Sequence, residues 1–179
     1  YGNIDRLIHL NVRFAYPLSD GRMLLCNIIH HLGYLDINKK HFTLLNEKIP
    51  ELERYRTIIA ACPTHRDDEV VVCTQNGLFI LNVNTDKIRT IDAVKKYDRY
   101  TRKINCAIRD HKGRIWIGTQ NGLLLMQKDE VRRIAEDDGL SNTCIRSLVE
   151  DSHGSIWLGT SNGINRIYAE GTELYILPL

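Results

Sequence analysis

Apolar residues in this chain come in short runs, and polar turn residues separate the runs. In 104–109, Ile104, Cys106 and Ile108 alternate with Asn105 and Arg109, the period-two pattern of a strand with one polar face. Runs of similar length occupy 22–27, 32–37, 41–45, 57–62, 69–73, 78–82, 87–91, 114–118, 123–127, 131–135, 144–150, 155–159, 164–168 and 173–177, with an earlier one over 7–16. No segment carries a convincing amphipathic helix, and 50–55 and 92–100 have room for a single helical turn at most. Pro63 opens a polar turn over 63–68, because proline cannot serve a central ladder. Asn121-Gly122 and Asn162-Gly163 stand between apolar runs and predict tight hairpins, since both residue types tolerate positive φ. The pattern predicts an all-β chain.

The runs repeat. Residues 110–125, DHKGRIWIGTQNGLLL, are matched almost position for position by 151–165, DSHGSIWLGTSNGIN. Trp116 corresponds to Trp157, Gly118 to Gly159, Asn121 to Asn162 and Gly122 to Gly163, at an offset of 41 residues. A weaker copy at 70–80 puts Cys73 in the place of Gly118, 45 residues upstream. A worn copy begins at Asp20, with Cys26 a further 47 residues upstream of Cys73. Short strands recurring at this period are the signature of β-propeller blades. The predicted architecture is a four-bladed fragment of a larger propeller, with four antiparallel strands per blade. Its blades cover about 1–53, 54–100, 101–140 and 141–179, all read as one partial propeller domain.

The repeated residue types suit that architecture. A small twisted sheet cannot bury both its faces alone, so neighbouring blades must stack on it. A repeated tryptophan supplies a large area for burial between blades, and its indole N–H needs a partner. The glycine two positions later permits close backbone approach near the axis. In DHKG and DSHG the aspartate is expected to bond local backbone and the glycine to take positive φ.

Composition narrows the function classes. The 179 residues suffice for a sizeable core, and 24 basic and 22 acidic side chains are well mixed, for a net charge of +2. No basic block marks a nucleic-acid surface, and no apolar run approaches a membrane span. No secretory signal is present, and a start at Tyr1 rather than Met is the expectation for a piece of a longer protein. The five cysteines, Cys26, Cys62, Cys73, Cys106 and Cys144, are odd in number and lack CxxC spacing, so they read as small buried fillers.

The second half also resembles a known family. Asp138-Gly139-Leu140-Ser141-Asn142, then Ile145, DSHG at 151–154, IWLGT at 156–160 and NGINR at 162–166 look like the regulator-propeller repeat of Bacteroides-type hybrid two-component sensors. The 110–125 copy is similar, without a counterpart of Asn142. The resemblance implies tandem periplasmic propellers that sense oligosaccharides, as part of an inner-membrane protein. It also implies an immunoglobulin-like domain, a membrane helix, a histidine kinase, a receiver and an AraC-type DNA-binding domain, all outside this chain. The family's propellers usually carry about seven blades, within the range known for the architecture. Four blades in phase leave two apolar faces open, and such faces drive association. A homodimer of half-rings is one expectation, and contact with the remaining blades of the parent is another.

Little else points to chemistry. His30-His31 with His9 and His41 do not form a convincing metal cluster, because adjacent strand residues face opposite ways. His111 and His153 sit in equivalent turns by repeat inheritance. Asp137-Asp138 and Asp67-Asp68 read as solvated turn acids. No catalytic, cofactor or metal site is expected. The side chains best suited to sugars are Tyr34, Tyr55, Tyr97 and Tyr100 with Arg56, Arg99 and Arg102, without a defined site among them. The competing readings are a propeller enzyme, either a lyase or a glycan-active one, and a protein-interaction scaffold.

Overall fold

Sixteen strands, in order along the chain, build four separate antiparallel sheets in the computed structural model, which describes residues 12–27, 31–55, 57–91, 94, 97, 103–128, 130–170 and 173–179. The first sheet contains β1 (Val12–Pro17), β2 (Arg22–Asn27), β3 (Leu32–Asp36) and β4 (His41–Leu44). The second contains β5 (Ile58–Pro63), β6 (Glu69–Thr74), β7 (Gly77–Asn82) and β8 (Lys87–Arg89). The third contains β9 (Ile104–Arg109), β10 (Ile115–Thr119), β11 (Gly122–Gln127) and β12 (Glu130–Ile134). The fourth contains β13 (Ile145–Glu150), β14 (Ile156–Thr160), β15 (Ile164–Glu170) and β16 (Glu173–Pro178). Each strand pairs only with its neighbours in sequence. These are propeller blades. Their first strands lie innermost, β5 against β9 and β9 against β13.

Alternation along the strands decides which blade each side chain meets. Leu24, Cys26, Leu32 and Tyr34 of blade one pack on Val70, Val72, Phe79 and Leu81 of blade two. Val71, Cys73, Leu78 and Ile80, on the other face of blade two, pack on Ile115, Ile117, Leu124 and Met126 of blade three. Trp116, Leu123 and Leu125 then meet Ile145, Ile156, Leu158 and Ile167 of blade four. Among the described residues no apolar cluster joins blade four to blade one.

Trp116 is fully buried in the third of these layers, and its Nε1–H donates to Oδ2 of Asp110 at 2.8 Å. Asp110, also buried, accepts the Arg114 backbone N–H at 2.8 Å through Oδ1 and the Arg114 Nε–H at 2.6 Å through Oδ2. One carboxylate thus closes the DHKG turn and supplies the partner that the indole requires. Gly113 turns the chain at φ 79°. Blade four repeats the device: Trp157 Nε1–H donates to Asp151 Oδ2 at 2.8 Å, and Asp151 Oδ1 accepts the His153 and Ser155 amides. There the arginine has changed strand. Ser155 stands where Arg114 would, and Arg166 of β15 donates to its hydroxyl and lies 5.6 Å from the Trp157 ring.

The repeated glycine marks the tightest point of the stack. A Cβ on Gly118 would come within 2.7 Å of Cγ2 of Ile145, in the next blade, and 2.6 Å of the Cys106 sulfur. Blades three and four are further joined by polar contacts. Asn105 Nδ2 donates to the Ile145 carbonyl at 2.7 Å, and the Gly122 amide to the Thr143 carbonyl at 2.7 Å. His111 donates its backbone N–H to Glu150, and its ring nitrogen also contacts that carboxylate.

Several local expectations need correction. The Asn-Gly turns do close hairpins, β10 to β11 and β14 to β15, but without two residues at positive φ. Only the glycine is there, at 121° for Gly122 and 96° for Gly163. The preceding threonine holds each turn. Thr119 Oγ1 donates to the Gly122 carbonyl at 2.7 Å and accepts the Asn121 N–H at 3.0 Å, and Thr160 does the same across Asn162. Pro63 closes β5 instead of opening the turn. It pairs with Val70, and it is tolerated because β5 is the end strand of its sheet. Trp157 is half-buried where Trp116 is enclosed, because among the described residues no blade packs on the outer face of blade four. A 3-10 turn at Pro50–Arg54 occupies the link between blades one and two. Within 92–100 only Val94 and Tyr97 are described, and the strand start before Val12 lies outside the described residues.

Two outcomes follow for stability. Trp116→Ala removes a fully enclosed side chain and is expected to cost about 3–5 kcal/mol, whereas Trp157→Ala costs about 1 kcal/mol; urea unfolding of both variants measures the gap. Asp110 is one of the groups that make stability depend on pH. Burial alone would raise its pKa, but hydrogen bonds from Trp116 and Arg114 outweigh burial and hold it below the ordinary carboxylate value. A depressed folded pKa adds stability that is present above the unfolded pKa of about 3.9 and lost as pH falls through the folded one. The stability difference between wild type and Asp110→Asn should therefore be constant near neutrality and shrink below about pH 4.

Candidate functional site

The sugar-binding candidates do not assemble into a site. Tyr34 is buried in β3 under the Arg22 guanidinium, 4.2 Å from its ring centroid. Tyr55 packs on Phe79 at 4.4 Å, with Arg54 over its other side and bonded to its hydroxyl. Tyr97 packs against the layer between blades two and three. Arg56, Arg99, Tyr100 and Arg102 lie outside the described residues, as do His9 and His30. His41 is exposed at the start of β4 and His31 half-buried just before β3. Among the described residues no three His, Cys, Asp or Glu side chains converge as metal ligands would.

The paired acids and the thiols have structural surroundings. Asp138 accepts the Ala135 amide at 2.9 Å and an Arg132 guanidinium contact at 3.4 Å, and Asp68 accepts the Asn82 amide at 2.7 Å. Burial pushes the Cys62 thiol up to about 12 and the Cys106 thiol up to about 11, so neither supplies a thiolate near neutral pH. All five cysteines are free.

Concavity occurs instead at the end of the propeller that carries the first-to-second and third-to-fourth strand turns. A cavity of about 340 Å³ lies between blades one and two, lined by Tyr16, Ser19, His65, Asp67 and Arg109 among others. One of about 170 Å³ lies between blades two and three. A third, of about 430 Å³, lies between blades three and four and includes Arg114, Glu130 and Arg132. The first two share Thr64, His65 and Arg109, and the last two share Lys112 and Gln127. The three therefore form a broken groove across all four blades. Neither the turn cations nor this groove was singled out from the sequence. The signal that could have found them is the recurrence of basic residues at the strand ends, Arg109, Lys112 and Lys128.

The two outermost blade faces are the other unusual surfaces. On blade four, pairing aligns Val149, Trp157, Arg166 and Leu177 in one row. Beside it, Tyr168 and Tyr175 stack at 5.2 Å, and Arg166 lies 5.7 Å from the Tyr168 ring. Val149 is 59% exposed and Leu177 43%. The same row of blade three, containing Ile108, Trp116 and Leu125, is covered by blade four. On blade one, Ala15, Leu25, Gly33 and Leu44 align in one row, and Pro17, Met23, Leu35 and Phe42 in the next, on the face away from blade two.

Similar folds occur among solved structures. The extracellular domain of a putative hybrid two-component system of B. thetaiotaomicron superposes with a TM-score of 0.61 at 14% identity, covering 94% of this chain and 24% of that one. A second such extracellular domain from the same organism gives 0.53 at 21% identity, with 87% and 26% covered. An auxiliary nutrient binding protein from Bacteroides thetaiotaomicron gives 0.63 at 13%, with 93% and 41% covered. These likenesses establish the propeller fold, and the chain spans about a quarter of the length of the two-component extracellular domains. No curated protein matches the chain. The family described as two component regulator propeller matches residues 101–121 and 139–162, the stretches that carry the DHKG turn with its tryptophan and the GLSN, DSHG and IWLGT segments. Blades three and four of this chain are built on two-component regulator propeller repeats.

Proposed function

We propose that this chain is part of the extracytoplasmic sensor region of a hybrid two-component system, a non-catalytic module that responds to oligosaccharides and relays the signal to a kinase elsewhere in the parent protein. The observation that carries the reading is the pair of regulator-propeller repeats in consecutive blades, each with its tryptophan pinned by the aspartate of its own turn. The outer face of blade four, with Val149 and Leu177 exposed, supports it, since it suits stacking on a further blade of the parent or on a second copy. On this reading the module sits in the periplasm and the parent is anchored in the inner membrane. No catalytic constellation among the described residues favours the enzyme alternative.

The parent gene and a transcriptional reporter test the proposal together. The gene should encode a membrane helix, a histidine kinase and a receiver. In cells carrying the full-length parent, one class of oligosaccharide should raise reporter output while monosaccharides leave it unchanged. A parent without a kinase, or a reporter that ignores every saccharide offered, would contradict the proposal.

A further inference from the structure

The cavity between blades two and three is unevenly charged. Its floor is apolar, formed by Ile80, Ile115 and Met126. Its walls carry Arg89, Arg109, Lys112 and Lys128, with His65 at the edge, and no carboxylate is among the described lining residues. Glu69 holds Arg89 from outside the cavity by two contacts, at 2.9 and 3.4 Å. Arg109, Lys112 and Lys128 are exposed and make no ion pair among the described residues. The chain as a whole is nearly neutral, so this concentration of one sign is local. The Arg109 guanidinium lies over the blade-three turn, 3.1 Å from where a Gly113 Cβ would stand. Like charges gathered around a concave surface repel each other and attract a counter-ion.

We propose that this cavity is the subsite for the acid group of an acidic sugar, a carboxylate or a sulfate ester. The sugar half of the statement rests on the oligosaccharide reading above; the anion half rests on the lining. Arg109, Lys112 and Lys128 offer N–H donors to the space, Arg89 being already paired with Glu69, and a guanidinium plane matches carboxylate and sulfate oxygens two at a time. The volume of about 170 Å³ is below that of sites enclosing a drug-sized ligand. It accommodates one acid-bearing unit, and the adjoining cavities of about 340 and 430 Å³ lie on either side for the neighbouring units of the same chain. Single-stranded nucleic acid is disfavoured, because its sites depend on successive aromatic faces for base stacking and Tyr16 is the one Phe, Tyr or Trp ring among the described residues lining the three cavities.

Isothermal titration calorimetry on the intact chain tests this, with digalacturonate, an O-sulfated disaccharide, cellobiose, sodium sulfate and tetraglutamate as probes. The informative variant is Arg109→Gln with Lys128→Gln. Its control is Lys39→Gln with Lys103→Gln, which removes the same charge from exposed positions outside the cavity. Circular dichroism verifies that both fold. At least one acidic disaccharide should bind saturably, about tenfold or more weakly in the cavity variant and unchanged in the control, while cellobiose gives no heat from this cavity. Equal binding to both variants overturns the subsite but leaves saccharide sensing standing, as does binding by cellobiose alone. If sodium sulfate or tetraglutamate binds through Arg109 and Lys128 and no saccharide does, the cavity is an anion site of another kind and the sugar assignment falls. No binding by any probe overturns the proposal.

Discussion

The layer between blades three and four depends on one hydrogen bond, which blade four repeats on its outer face: an indole N–H donated to an aspartate six residues earlier in the chain. A tryptophan between two sheets brings a large apolar area, but its N–H is costly to bury without an acceptor. Asp110 provides the acceptor from inside the same turn that reverses the strand, so the ring is oriented before the next blade arrives. The carboxylate in turn needs its own partners, and the Arg114 side chain and amide supply them. Charge-assisted bonds of this kind each contribute roughly 1.5–3 kcal/mol, enough to hold one side chain in one rotamer. With the ring fixed, Ile145 can seat against Gly118 without a Cβ in its way.

The same arrangement in blade four carries no next blade, and the face changes accordingly. Trp157 keeps its aspartate but remains half-buried, and Arg166 takes the position that Leu125 fills in blade three. An arginine over the ring keeps its charge in water while its stem covers apolar surface. The surface left behind, Val149, Trp157, Tyr168, Tyr175 and Leu177, is more apolar than an edge that must stay free of contact. Blade one ends the stack with a face that includes Ala15, Met23, Leu25, Leu35 and Phe42.

Much of this was legible in the sequence, and the reason is periodicity. Two copies of DxxG-x-IW-x-GT-x-NG, 41 residues apart, define phase, strand count and which residues share a face. The placement of Cys26 and Cys73 opposite Leu32 and Leu78, as Gly118 stands opposite Leu123, follows from the same phase. What failed was local or required three dimensions. The Asn-Gly turns were misjudged because dipeptide statistics ignore the threonine hydroxyl that replaces a second positive φ. The aspartate acceptor for each indole was missed although both residues lie in one motif, because a turn residue was assigned only to its backbone. Tyr34 and Tyr55 looked available for ligands, but neighbouring arginines and Phe79 occupy them. The basic cavity draws on β5–β6, β8, β9–β10 and β11–β12, so no single stretch announces it.

On the sensor reading proposed above, the stack is what would carry a displacement from one end of the propeller to its outer faces, because packed layers of interdigitated side chains do not deform smoothly. An enclosed tryptophan and a half-buried one differ in how readily their indole N–H groups meet water. The chain has two tryptophans, so a proton–nitrogen NMR spectrum shows two indole signals, and their hydrogen exchange reads each lock separately. The Trp116 signal should exchange only with global unfolding, and the Trp157 signal much faster, by local opening. Equal, slow exchange at both would mean that the outer face of blade four is covered in solution, and equal, fast exchange would mean that the layer between blades three and four is not the packed core described above.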